Sequence, residues 1–197
     1  MVEKSALISV FDKTGIVDFS KNLVDLGYSI ISTGGTASSL KKAHVPLIEV
    51  SQLTGFPEML DGRVKTLHPI IHAGILARRD NKAHMNVLAE HDIDGIDMVV
   101  VNLYPFEKTI EDTTATLDDI VENIDIGGPT LIRAAAKNYR DVIVLTQAQQ
   151  YPEILAELKK GKDIELEKRQ QLAVTAIAHT AQYDTIISQY FTSPWNL

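Results

Sequence analysis

Cysteine is absent from the 197 residues. That removes a disulfide scaffold, a cysteine-ligated zinc or iron–sulfur centre, and a thiol nucleophile. Long apolar runs are absent too. The densest, Met98-Val99-Val100-Val101, falls far short of the ~18 residues a spanning helix needs and reads as a buried strand. Positive charge is in short supply, since 19 Lys plus Arg against 26 Asp plus Glu give a formal net charge of -7. A general nucleic-acid or anionic-membrane binder works through a positive field and is therefore excluded, whereas a small phosphorylated ligand needs only a few placed cations. No low-complexity tract, repeat or linker divides the chain, and Met1-Val2-Glu3-Lys4-Ser5 lacks a signal-peptide shape. The expectation is one soluble, cytoplasmic domain over residues 1–197, 45% apolar and able to bury a sizeable core.

What is present reads as alternating strands and helices. Short apolar runs at Ala6–Val10, Ser29–Ser32, Pro46–Val50, Met98–Leu103 and Val142–Leu145 predict five strands. Ile16, Phe19, Leu23 and Leu26 recur at helical spacing, and Gly27 closes that helix. Further helices are predicted from the Thr33 turn to His44, near Ile70–Arg78, and over Lys82–Glu90, Leu117–Asn123 and Thr130–Asn138, with Pro129 in the first turn of the last. Pro152–Lys160 and a long helix over Leu166–Phe191, in which Ala173, Ile177 and Ala181 share a face, complete the chain. Leu53–Pro69 reads as Gly- and Pro-rich loop. This alternation predicts an α/β fold with a mostly parallel five-stranded sheet between helix layers. In such sheets ligands bind outside the C-terminal strand ends, where strand order reverses.

Four segments compete for that edge: Asp12-Lys13-Thr14-Gly15, Thr33-Gly34-Gly35-Thr36, Asn102-Leu103-Tyr104-Pro105, and Asp125-Ile126-Gly127-Gly128-Pro129-Thr130. The paired glycines of the second let backbone N–H groups approach an anion, the hydroxyls add donors, and the helix N-terminus adds positive charge. A plain tight turn would look the same. No Walker loop or G-x-G-x-x-G pattern occurs, so no dinucleotide cofactor is indicated. Lys137 stands one turn beyond Arg133 on a slim alanine helix and reads either as a desolvated proton carrier or as a surface lysine. Asp125 reads as its counter-charge or as a helix cap. Gly62-Arg63-Val64-Lys65-Thr66-Leu67-His68-Pro69 gathers two cations, a hydroxyl and an imidazole in one loop, functional or irregular. His68 and His72 are four apart, but no H-E-x-x-H pattern accompanies them, which argues against a metal. His179 reads as a packed core or interface histidine, and Tyr104 as packing or as a phenol offered to a ligand. These residues alone support an α/β domain that binds a small phosphorylated anion.

The motifs Gly62–Pro69, Asn102-Leu103-Tyr104-Pro105-Phe106, Asp125-Ile126-Gly127-Gly128 and Arg133-Ala134-Ala135-Ala136-Lys137-Asn138 together resemble a known family. It is the IMP cyclohydrolase domain of the bifunctional AICAR transformylase/IMP cyclohydrolase of purine biosynthesis. The similarity runs from the first strand through His179-Thr180-Ala181-Gln182-Tyr183-Asp184. It implies a three-layer methylglyoxal-synthase-like fold, a homodimer, a purine ribotide as the small-molecule substrate, and no cofactor or metal. The implied reaction is ring closure to inosine monophosphate: the formamido group condenses with the neighbouring carboxamide nitrogen and water leaves. By match of position, the resemblance implies a phosphate loop at Thr33, Gly34, Gly35 and Thr36 with Lys13 nearby. Arg63, Lys65 and Thr66 would surround base and phosphate, and Asp12, Asn102, Asp125, Ile126, Gly127 and Gly128 would complete the binding set. Lys65, Tyr104, Asp125 and Lys137 would form the catalytic set. In it Lys137 with Asp125 would shuttle the proton of the attacking amide or departing water, and Lys65 with Tyr104 would stabilise the formyl oxygen.

Two departures stand out. Phe11 occupies a position where the family pattern has a small serine, so a hydroxyl contact is lost there. The family continues into a transformylase domain, whereas this sequence stops at Ser193-Pro194-Trp195-Asn196-Leu197. The expectation is that formyl transfer belongs to a partner domain in cis or in trans. Methylglyoxal synthase and a ligand-sensing regulatory domain, like the allosteric domain of carbamoyl-phosphate synthetase, share the fold. Neither needs the Lys65, Tyr104 and Lys137 motifs.

Overall fold

The computed structural model describes residues 4–192, so the first three residues and the closing Ser193–Leu197 stretch lie outside the described residues. The chain runs β1 (Lys4–Val10), α1 (Ile16–Asp25), β2 (Tyr28–Ser32), α2 (Gly34–Lys42), β3 (Ile48–Glu49), α3 (Val50–Thr54), α4 (Pro69–Leu76) and α5 (Lys82–Glu90). It continues with β4 (Met98–Asn102), α6 (Phe106–Glu111), α7 (Leu117–Glu122), α8 (Gly127–Lys137), β5 (Ile143–Leu145), α9 (Tyr151–Lys159) and α10 (Leu166–Thr192). The five strands form one sheet in the order β3-β2-β1-β4-β5, and every pairing is parallel.

This order decides where a site can form. The chain leaves β1 toward β2 and β3, then returns across β1 to lay down β4 and β5. Right-handed crossovers in opposite directions place helices on opposite faces of the sheet. Accordingly α1 packs with α2 and α9, whereas α8 packs with α4, α10 and β4. The central strands are covered on both sides, and Leu7, Ile8, Met98, Val99 and Val100 are essentially inaccessible. Such side chains contribute roughly 1.5–3 kcal/mol each through burial. The crevice between the C-terminal ends of β1 and β4 is the topological switch point.

Several boundaries depart from the sequence reading. Strand β3 has only two residues, because Val50 turns inward and opens α3, closed by Gly55 in the left-handed region at φ 66. Helices α3 and α6 are too short to show a helical period. Helix α8 begins at Gly127, three residues before the expected start, with Pro129 still in its first turn. On α10 the buried face is Arg169, Leu172, Ala173, Ala176, Thr180 and Tyr183, and Ile177 is 41% exposed. One residue past Ala176, Ile177 is rotated by about 100° from that face. Within Leu53–Pro69, an antiparallel bridge between Met59 and Val64 folds the chain back on itself.

Candidate active site

Asn102, the last residue of β4, holds the crevice. Its Oδ1 accepts hydrogen bonds from the backbone N–H of Phe11 (2.6 Å) and Asp12 (3.0 Å), and its Nδ2 donates to the Asp12 carbonyl (2.9 Å). The ends of β1 and β4 are thereby tied across the switch point. Around them opens a cavity of about 590 Å³, lined among others by Lys13, Thr33, Arg63, Lys65, Tyr104 and Asp125. Gly35, Thr36, Thr66, Asn102, Ile126, Gly127 and Gly128 also line it. Five segments far apart in sequence thus meet at one sheet edge.

One wall is the N-terminus of α2. Gly34 adopts φ 55, a conformation that costs glycine little and turns the chain sharply into the helix. A methyl group on Gly34 would sit 3.7 Å from Lys65 Nζ, and one on Gly35 would sit 3.8 Å from Lys13 Nζ. Two ammonium groups therefore flank a helix N-terminus, an arrangement suited to a phosphate. The hydroxyls of this loop, expected as extra donors, are already engaged. Thr36 Oγ1 bridges the Val10 N–H and carbonyl, and Thr33 Oγ1 donates to Glu58 Oε1 at 2.6 Å. The donors this wall leaves for an anion are therefore backbone N–H groups and the two lysines.

The opposite wall is built from Asp125 and the start of α8. Asp125 Oδ1 accepts from the Gly128 N–H at 2.8 Å, and the Asp125 N–H donates to Tyr183 Oη at 2.8 Å. The glycines are needed by proximity: a Cβ on Gly127 would lie 2.7 Å from Thr66 Oγ1, and one on Gly128 would strike Asp125 and Leu103. Burial pushes the Asp125 carboxyl above its ordinary 3.8, with the Gly128 N–H and then Lys65 pulling the other way. A half-buried carboxyl raised in this manner can exchange a proton with a ligand. Burial likewise raises the Tyr183 phenol.

The remaining expected residues are placed as follows. Arg63 lines the cavity and pairs at 3.4 Å with Glu122, which lines it too, between exposed side chains. Asp12 does not line it: Asp12 Oδ1 accepts from the Thr14 N–H and hydroxyl, which shapes the turn and holds the carboxyl below the usual range. Lys137 is separated from the cavity altogether. It lies at the far end of α8, ten residues past Gly127, or about 15 Å along the helix axis. There it lines a second cavity of about 710 Å³ with Arg78, His84 and Arg140. The expected pairing of Lys137 with Asp125 does not occur within one chain. His68 Nδ1 accepts from the Ile70 N–H and caps α4, so that ring is already in use. His72 and His179 have a buried Nε2 without a hydrogen-bond partner, and burial lowers the pKa of both rings.

Two residues of this site went unread in the sequence. Tyr183 carries the same spacing as its core neighbours Ala176 and Thr180, so periodicity hides its polar task. Glu58 gives no signal, because its contact with Thr33 depends on the folded loop.

Comparison with known proteins matches the MGS-like domain family over residues 15–130 and the AICARFT/IMPCHase bienzyme family over residues 135–196. The "Bifunctional purine biosynthesis protein PurH" of Listeria welshimeri is 54% identical over 189 residues, covering 96% of this chain and 37% of that protein. The protein of the same name from Acetivibrio thermocellus is 55% identical over 187 residues, covering 95% and 36%. That of Streptococcus mutans is 55% identical over 190 residues, covering 96% and 37%. The chain thus spans little more than a third of the length of these relatives. A crystal structure of ForH superposes with a TM-score of 0.87 at 32% identity, covering 95% of this chain and 96% of that one.

Proposed function

The chain belongs to the MGS-like domain family, with the AICARFT/IMPCHase region following in the same chain, and from this premise we propose that it is an IMP cyclohydrolase. The substrate is 5-formamidoimidazole-4-carboxamide ribotide. Its carboxamide nitrogen attacks the formyl carbon and gives up one proton, the formamido nitrogen gives up the other, and the formyl oxygen departs as water to leave inosine monophosphate. The observation that carries this reading is the raised Asp125 carboxyl facing Lys65 in a cavity whose other wall is a lysine-flanked helix N-terminus.

The ribotide phosphate lies on the backbone of Gly34–Thr36 beside Lys13, and Lys65 spans from that loop toward Asp125. Asp125 accepts the proton of the attacking amide. Lys65 and Tyr104 donate to the formyl oxygen as charge develops there. Holding the two reacting groups face to face supplies much of the rate, because both belong to one bound molecule. Arg63 and Thr66 border the base. Lys137 has no part in this set within one protomer. The same reading carries a homodimer, a cytoplasmic setting, no cofactor, and a transformylase that supplies the formamido ribotide in cis or in trans.

The test is to incubate the purified chain with the formamido ribotide and follow inosine monophosphate by absorbance. The parent is expected to turn over, and Lys65→Ala and Asp125→Asn are expected to fall by about 10²-fold or more. Tight binding of inosine monophosphate without turnover would replace the enzyme reading with that of a nucleotide-sensing module.

A further inference from the structure

The cavity wall mixes charged and hydroxyl groups with apolar side chains, and Phe11 stands in it 46% exposed. Phe11 and Tyr104 are the aromatic rings of that lining, and they meet edge to face with centroids 4.3 Å apart and planes at 64°. Hydrogen bonds pin the Phe11 backbone on both sides. Its N–H donates to Asn102 Oδ1 at 2.6 Å, and its carbonyl accepts from Lys13 Nζ at 3.1 Å. The ring is therefore carried on the same fixed turn as the lysine that flanks the phosphate loop. A half-exposed ring on a fixed turn at a cavity wall leaves apolar surface open, and a flat heteroaromatic ligand would cover it.

We propose that Phe11 is the specificity-determining wall of the site: the heterocycle of the ribotide lies against its ring, and its edge contact fixes the orientation of Tyr104. The inference rests on the cyclohydrolase reading and adds to it the residue that reads the base. Affinity for nucleotides is then divided between two ends of one turn, with Lys13 gripping phosphate and Phe11 the base.

The test compares two ligands by titration calorimetry on the full chain, inosine monophosphate and ribose 5-phosphate, which lacks the base. In Phe11→Ala, inosine monophosphate is expected to weaken roughly tenfold, the scale of one base–aromatic contact, with ribose 5-phosphate unchanged. Phe11→Tyr restores the ring and the affinity, and Phe11→Leu, which restores volume without a ring, does not. Turnover adds a second readout. Phe11→Leu lowers kcat about two- to tenfold beyond its effect on KM, because Tyr104 loses its edge contact. Equal losses for both ligands, or none, would overturn the proposal, as would full rescue by Phe11→Leu. A parent that favours inosine monophosphate over ribose 5-phosphate but never cyclises would sink the enzyme reading alone. Because Phe11 is half-exposed, its replacement opens no core cavity, and a far-ultraviolet spectrum confirms the fold in each variant.

Discussion

Asp125 shows what one residue is asked to do in two respects at once. Its burial raises the carboxyl, so between the unfolded value of 3.8 and the higher folded value the folded chain holds the extra proton. The ionised form therefore weakens the fold once pH rises through that window. Asp125→Asn removes the charge and keeps an oxygen for the Gly128 N–H. At pH 7 the variant is expected to melt at or above the parent, and the difference should vanish near pH 3, as calorimetric scans at both values would show. Its kcat should collapse, and the acid limb of the parent's rate profile, displaced above the ordinary carboxylate range, should vanish with it. At this scale the sequence was half legible. Lys65, Tyr104 and Asp125 all line the 590 Å³ cavity, Tyr104 and Asp125 because each lies within two residues of a strand end or helix start, and Lys65 because the loop before α4 folds back beside them. Lys137 does not, because a motif continuous along the chain is carried away from the site by its own helix.

Elements were more legible than residues, and for a physical reason. The strands and the longer helices write their packing as short apolar runs or as period 3.6, and all five strands are found. Short pieces such as α3 and α6 depend on tertiary contacts and leave no period to read. The joint between α4 and α8 is a case in point. Asn138 is buried at the end of α8, and its Nδ2 donates to the carbonyls of Ile75 (2.8 Å) and Ala77 (3.1 Å). The Ile75 carbonyl at the end of α4 is satisfied by this amide, and the Ala77 carbonyl by the amide together with Arg79 Nη1 at 2.7 Å. Asn138→Ala strands the Ile75 carbonyl, while Arg79 still serves that of Ala77, and should cost about 1–3 kcal/mol in chemical denaturation. KM for the ribotide should stay unchanged, since Asn138 lies outside the 590 Å³ cavity.

The whole molecule sets a contrast between a net charge of -7 and a cavity carrying Lys13, Arg63 and Lys65. All three cations are exposed, so bulk salt reaches them. KM for the dianionic ribotide is expected to rise several-fold as ionic strength goes from about 0.01 M to about 0.3 M, with kcat nearly flat. The assembly state bears on Lys137. A site complete within one protomer requires Lys137→Ala to keep a kcat close to the parent's. Loss of turnover would mean that the lysine serves a neighbouring copy's cavity, and mixing Lys137→Ala with Asp125→Asn would then restore activity.

The three hydrogen bonds of Asn102 give the crevice a gauge. Beyond their last paired residues, β1 and β4 are free to splay with the twist of the sheet. A single amide sets the gap between them before any ligand arrives. The ordering of the Phe11–Asp12 segment is thus completed during folding and is not charged to binding. Asn102→Ser would let the gap breathe, and the amide protons of Phe11 and Asp12 would exchange faster while those of buried Leu7 and Val99 kept their protection.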